Sequence, residues 1–287
     1  MRNKILVTGG TGFIGYYLIE EFKKLDSDIK ILIQERLKGR QYIPGDIRDE
    51  DLDLKGYNIV YHLAALSNPR FCEDNKRLAW DVNVNGTLNL LEKLEEEQKI
   101  IFASSAHVYS RSSHPHSEDE PLSPSDFYGL TKKTAEELIE YCSKKKGFAY
   151  TILRFFNIYG PRQSKGFLIP DIVEKYRAGG EIKIINPGAK RDFIYISDAV
   201  AALVKAINAR GIYNIGSGRG TRIEDIYSLI KKEMNAKNVI EKIIKRNEDA
   251  LIANATKAEK ELGWKPKVSL KEGIRKTIES IEKSVKS

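Results

Sequence analysis

Seven residues near the start of the chain, Gly9-Gly10-Thr11-Gly12-Phe13-Ile14-Gly15, limit what it can fold into more than any other segment. They follow an apolar run, Ile5-Leu6-Val7, and precede Tyr16-Tyr17-Leu18-Ile19-Glu20-Glu21-Phe22, which reads as an amphipathic helix. A strand, a glycine-rich turn and a helix in that order form a cradle for phosphate. The first glycines permit a tight turn, Gly12 lets the backbone approach a pyrophosphate, and Gly15 lets helix and strand pack closely. The helix N-terminus points unpaired N–H groups at the anion. By itself this feature predicts a bound dinucleotide.

The rest of the chain supplies the sheet that such a cradle needs. Short apolar runs alternate with helical patterns, which predicts βαβ units and an α/β, doubly wound parallel sheet. The 287 residues suffice for one large α/β unit or two closely joined domains, and 41% hydrophobic with 31% charged residues is a globular mix. No apolar stretch approaches the roughly 18 residues of a membrane span, and the chain opens on a core strand with no signal peptide ahead of it. Cys72 and Cys142 give neither a disulfide framework nor metal spacing, as in a cytoplasmic protein with reduced thiols. The net charge of +8 raises the question of a nucleic-acid partner. The lysines are scattered over helix faces without interleaved aromatics, so a phosphorylated small substrate explains the charge better; the expectation is no nucleic acid and no membrane.

Strands are expected over about 3–8, 29–33, 41–43, 59–65, 100–105 and 151–155, with helices over about 13–25, 76–97 and 127–145. Residues 110–125 form one long irregular loop, of a length that is often functional. After Gly160-Pro161 the rhythm changes, with helices near 167–178, 197–209, 222–235 and 270–284 and strands at 182–185 and 212–215. This divides the chain into a nucleotide domain, 1–160 plus about 185–217, and a smaller interwoven C-terminal α/β substrate domain, about 161–184 plus 218–287.

Tyr128 and Lys132 lie four residues apart, hence on one helix face. A tyrosine with a pKa near ~10 is a poor base at neutral pH, and a nearby ammonium favours its phenolate. Tyr141 with Lys145 and Tyr227 with Lys231 share that spacing, so setting must decide. Tyr128 opens a helix after the long loop, and Ser104-Ser105 ends a strand at the sheet edge where α/β ligands bind. His114-Pro115-His116 has no third ligand nearby and reads as a solvated loop, so no metal is expected.

Taken in order, these motifs resemble the extended short-chain dehydrogenase/reductases, in particular the NAD-dependent sugar epimerase/dehydratase group with its Rossmann-type fold. Thr8, Gly9, Gly12 and Gly15 meet the opening motif, Asp46-Ile47 the adenine-side pair, His62-Leu63-Ala64-Ala65 a strand end, and Asn83-Val84-Asn85-Gly86-Thr87 a helix motif. Ser104 to Tyr109, Arg154 to Gln163, Arg191 to Asp198, Arg246 to Asp249 and Leu262 to Pro266 continue the likeness. The resemblance implies Ser105, Tyr128 and Lys132 as catalytic residues. It implies a cofactor held by Gly9, Gly12, Phe13, Ile14, Gly15, Glu35, Asp46, Ile47, Leu63, Ala64, Ala65 and Asn83, together with Tyr128 and Lys132. Asn157, Arg191 and Arg246 are implied to hold substrate, since guanidinium groups suit adjacent phosphates.

The resemblance implies NAD-dependent epimerisation of a nucleotide-sugar, at C4 of a UDP-hexose, by a homodimer. A nucleotide-sugar reductase is the nearest rival, and a non-catalytic nucleotide-sensing or RNA-binding relative the more distant one. Glu35 favours NAD, whereas Arg36, Lys38 or Arg40 would suit the extra phosphate of NADP. Dehydratases of the group usually carry an Asp-Glu pair after the catalytic hydroxyl; here Ala106-His107 stand there, which disfavours 4,6-dehydration. Ser110 and Phe127 stand where Gly and Pro are common, and residues 66–72 diverge from the familiar epimerase pattern.

Overall fold

Strands that are apolar along their whole length must be covered on both sides, and this chain covers them. A computed structural model describes residues 3–25, 28–34, 39, 41–237, 239–245 and 249–286. In chain order the strands are β1 (Lys4–Thr8), β2 (Asp28–Ile33), β3 (Tyr42–Pro44), β4 (Ile59–His62), β5 (Lys99–Ser105), β6 (Ala149–Phe155), β7 (Asn157–Tyr159), β8 (Gly180–Ile185), β9 (Lys190–Tyr195), β10 (Gly211–Ile215), β11 (Gly220–Arg222), β12 (Val239–Ile244) and β13 (Ala250–Leu251). Seven of them form one sheet in the order β10-β6-β5-β4-β1-β2-β3, and every pairing in it is parallel. This is the Rossmann-like sheet that the alternating pattern predicts.

The pleat divides the core. Ile5 and Val7 face one side, with Leu18 and Phe22, while Leu6, Val60, Phe102 and Ile152 face the other, with Leu90, Leu91 and Ile139. The helices that matter for the site are α1 (Phe13–Lys24), α2 (Pro69–Asp74), α3 (Lys76–Trp80), α4 (Gly86–Lys93) and α5 (Phe127–Lys146). A second sheet collects β7, β9, β11 and β13, and β8 pairs with β12. Only Phe156 separates β6 in the first sheet from β7 in the second, and its N–H is bonded to the Ile215 carbonyl at 3.0 Å.

The continuous helix expected over 76–97 is a correction. It is broken by a wider π turn at Asp81–Asn85, and the helix ends at Lys93, where Leu94 turns to extended backbone. Asn83 explains the location of the break. Its amide takes the Leu66 N–H at 2.8 Å and donates to the Leu66 carbonyl and to Thr131, both at 3.0 Å. A side chain that ties the loop after β4 to α5 makes a π turn worth its poorer geometry. The short helix α2 was not expected; Asn68 caps it by accepting the Phe71 N–H at 2.9 Å, with Pro69 in its first turn.

Candidate active site

The strand order reverses direction at β1, which has β2 on one side and β4 on the other. In open α/β sheets ligands bind at that point, beyond the C-terminal strand ends. A cleft of about 850 Å³ lies there, lined by the turn after β1, the ends of β4 and β5, the start of α5 and residues of β7.

The glycine turn is shaped by contact. Gly9 has φ +70°, and a Cβ on it would stand 2.6 Å from the Ala64 nitrogen. A Cβ on Gly15 would stand 2.3 Å from the Gly9 carbonyl oxygen, so α1 could not lie where it does. Gly12 precedes α1 without a side-chain cap, which leaves the first-turn N–H groups for an anion in the cleft. These features fit the pyrophosphate of a dinucleotide. Behind the turn, Thr8, His62 and Thr87 form a buried chain, each His62 nitrogen lying 2.9 Å from a threonine hydroxyl. The Thr87 hydroxyl donates to the Asn83 carbonyl at 2.6 Å, so it accepts from His62 Nε2–H, and Nδ1 accepts from Thr8. Burial, with Lys132 nearby, lowers the His62 pKa to about 3, so the imidazole is a neutral tie between β1, β4 and the π turn.

At the far rim Asp46 binds the Arg48 guanidinium at 2.7 Å and 3.0 Å, and that contact holds its carboxyl below the usual range. Gln34 donates to Oδ2 of the same carboxylate. Asp46, Ile47, Leu63, Ala64, Ala65, Phe13 and Ile14 all line the cleft, as do Gly9, Gly12 and Gly15. Asn83 does not; it lies behind the wall and positions it. Glu35, Arg36, Lys38, Arg40 and Arg246 lie outside the described residues.

At the other end, β5 and α5 bring three groups together. Ser105 caps the short 3₁₀ turn Ala106–Val108, accepting the His107 N–H at 3.2 Å. Asp126 caps α5, accepting the Gly129 N–H at 2.8 Å, and so sets Tyr128 in the first turn. Ser105 and Tyr128 both line the cleft; burial pushes the phenol pKa up, and the neighbouring Ser105 hydroxyl works against it. Lys132, one turn on, donates to the Ala103 carbonyl at 2.8 Å and lies over the Phe102 ring. Burial lowers its pKa to about 8. The ammonium is turned to a backbone oxygen, and burial dominates the phenol.

Further along α5, Glu136 accepts from Arg154 at 2.7 Å and from the Ser104 hydroxyl. Arg154 also donates to the Tyr109 hydroxyl at 2.7 Å and to the Glu118 carbonyl at 3.0 Å. The 110–125 loop serves this network rather than the cleft. Ser112 and His116 pair with Ala250 and Ala253, and no residue of the loop lines the cleft.

In the second sheet Asn157 lines the cleft and donates to the Asp192 carbonyl at 2.9 Å. Asp192 is buried and accepts the N–H groups of Ser217, Gly218 and Ala253, so it ties the loop after β10 to the segment after β13. Arg191 stands outside the cleft lining, 2.6 Å from Asp249, whose other oxygen lies 3.9 Å from Arg111. The sequence pattern singles out neither Asp126 nor Gln34 nor Arg48. Asp126, just ahead of a helix start, carried a capping signal; the other two needed the fold.

The sequence pattern of the NAD dependent epimerase/dehydratase family matches residues 5–216. The chain belongs to that family, and NAD is the dinucleotide its cradle serves. A putative UDP-glucose 4-epimerase of Methanocaldococcus jannaschii is 34% identical over 296 residues, covering 96% of this chain and 97% of the relative. A dTDP-4-dehydro-6-deoxyglucose reductase of Escherichia coli is 34% identical, covering 98% of each. The crystal structure of the UDP-glucose 4-epimerase of Thermotoga maritima with UDP-glucose superposes with a TM-score of 0.90 at 29% identity, covering 98% of this chain and 99% of that one. The chain is thus a member of an enzyme family, and no described helix is long and apolar enough to cross a membrane.

Proposed function

We propose that the chain epimerises a nucleotide-sugar at C4 of a UDP-hexose, interconverting compounds such as UDP-glucose and UDP-galactose. The observation that carries this reading is the convergence of Ser105, Tyr128 and, one turn on, Lys132 in the cleft that also contains the glycine cradle. The cradle of Gly9, Gly12 and Gly15 would hold NAD, which would supply reversible hydride transfer at the sugar carbon. The chain's own residues handle the proton. Tyr128 accepts it from the reacting hydroxyl, Ser105 donates a hydrogen bond to the carbonyl oxygen that results, and Lys132 supplies positive charge near both. The buried surroundings exclude water, which keeps a keto-sugar in place while it turns over.

Asn157, Arg191 and Arg246 belong to this reading as the diphosphate-end contacts. Arg191 would exchange Asp249 for phosphate oxygens. The same reading takes 1–160 plus about 185–217 as the nucleotide domain and the remainder as the substrate domain, with β10 in the first sheet and β11 to β13 outside it as support. It includes a cytoplasmic homodimer. Exposed Leu78 and Trp80 on α3, with Leu130 and Tyr141 on α5, offer the apolar face for the second copy.

The reductase resemblance supports a second reading, net reduction of a keto-sugar. Incubation with UDP-, GDP- and dTDP-sugars, followed by product analysis, separates the two: an epimer formed without net NADH change supports the first, stoichiometric NADH consumption the second. Tyr128→Phe is expected to lower kcat about 10²–10⁴-fold with cofactor binding retained. Full activity in that variant removes Tyr128 from the mechanism.

A further inference from the structure

His107 holds the position read above only as lacking a carboxylate. The fold gives it one from elsewhere. Its Nδ1 lies 2.6 Å from Asp126 Oδ2, while Asp126 Oδ1 accepts the Gly129 N–H at 2.8 Å, so both carboxylate oxygens are fixed. Nδ1–H therefore donates to Asp126, and the Nε2 lone pair is left for the cleft that His107 lines. No described residue hydrogen-bonds that nitrogen. The imidazole stands edge-on to Tyr128, with ring centroids 5.6 Å apart, and its backbone N–H reaches Ser105 Oγ at 3.2 Å. The other titratable groups of the lining are committed elsewhere: Asp46 to Arg48 at the far rim, Lys132 to Ala103, and Tyr159 to the Leu270 carbonyl.

We propose that His107, oriented by Asp126, is a second acid–base centre that removes and returns the hydrogen on the carbon next to the keto group of the sugar. The placement of that keto group, at Ser105 and Tyr128, rests on the function proposed above. A carbonyl there acidifies the neighbouring C–H. Nε2 takes the hydrogen as a proton, the C–H pair becomes a carbon–carbon π bond, and the carbonyl π pair moves onto oxygen. The Ser105 and Tyr128 hydroxyls donate to that oxygen, and Asp126 balances the imidazolium. Return of the proton restores the ketone, so nothing is oxidised or reduced in this step. When the imidazolium has exchanged with water, solvent hydrogen arrives on carbon; delivery to the opposite face inverts that carbon.

The test supplies the ketone directly. UDP-4-keto-6-deoxyglucose is incubated in D₂O, without added NADH, with the wild-type protein, His107→Gln or Asp126→Asn, and deuterium is located by mass spectrometry and proton NMR. Wild type is expected to label the carbon beside the ketone about a hundredfold faster than His107→Gln. Asp126→Asn, which keeps the helix cap, should fall between them. NADH fluorescence titration shows that each variant is folded. Equal labelling by wild type and His107→Gln, or wild-type labelling no faster than in buffer, overturns the proposal. Epimerisation of UDP-glucose without keto-sugar labelling rejects this step and keeps the epimerase reading; labelling without epimerisation does the reverse.

Discussion

Two buried polar clusters sit along the same face of α5, one turn apart, and they are built to opposite ends. Glu136 and Arg154 satisfy one another and are completed by Ser104, Tyr109 and Glu118. Tyr128 and Lys132 are also buried, yet burial works against the ionised form of each, and Lys132 has one backbone carbonyl as its partner. No buried side-chain nitrogen or oxygen of the first cluster lacks a partner. The second retains capacity on the side of the cleft. Completeness marks the structural network and incompleteness the working one, although the residue types alone look alike.

The largest effect that would break this contrast is expected at Glu136. Glu136→Ala leaves the Arg154 guanidinium buried without its partner, and should cost about 3–5 kcal/mol in urea unfolding. A loss below 1 kcal/mol by the same measure would mean that the network is less closed than its geometry. Lys132→Met should act in the other direction. The Lys132 pKa falls from its ordinary 10.5 to about 8, so the unfolded chain binds more protons between those values. Stability of the wild type from this group therefore rises with pH across that window, and the penalty is complete below about 8. The variant is expected to be more stable by about 2 kcal/mol at pH 7, an advantage that fades toward pH 10.5 while turnover is lost at every pH. Unfolding curves at the two pH values check it. The smallest change sharpens the contrast: Ser104→Ala removes one hydroxyl from the closed cluster and should cost about 1 kcal/mol with kcat unchanged.

The same contrast explains what could be read from the sequence. Gly15 announces itself because the contacts that require glycine lie within one turn, and Gly9 because a tight turn with positive φ is a local demand. Tyr128 and Lys132 share one helix, so their spacing survives in the linear chain. The pairing of His107 with Asp126 spans the long loop, and Glu136 with Arg154 spans the junction of α5 and β6, so neither has a local signature. The break at Asp81–Asn85 was hidden for a related reason. Its cause is the bond from Asn83 to Leu66 and Thr131, and a periodic pattern records burial rather than the partners of a buried amide.

The passage of one strand from the first sheet into the second has a mechanical consequence. With Phe156 alone between β6 and β7, and its N–H fastened to Ile215, that wall is a splice and not a hinge. Opening on that side is limited to what one residue's φ and ψ can supply, and hinge closure in enzymes draws on several such positions. The two halves are joined like the leaves of a book along their spine. Any give in the wall is left to the stretch from Gln163 to Leu168, where the lining is carried by a loop and the start of a helix.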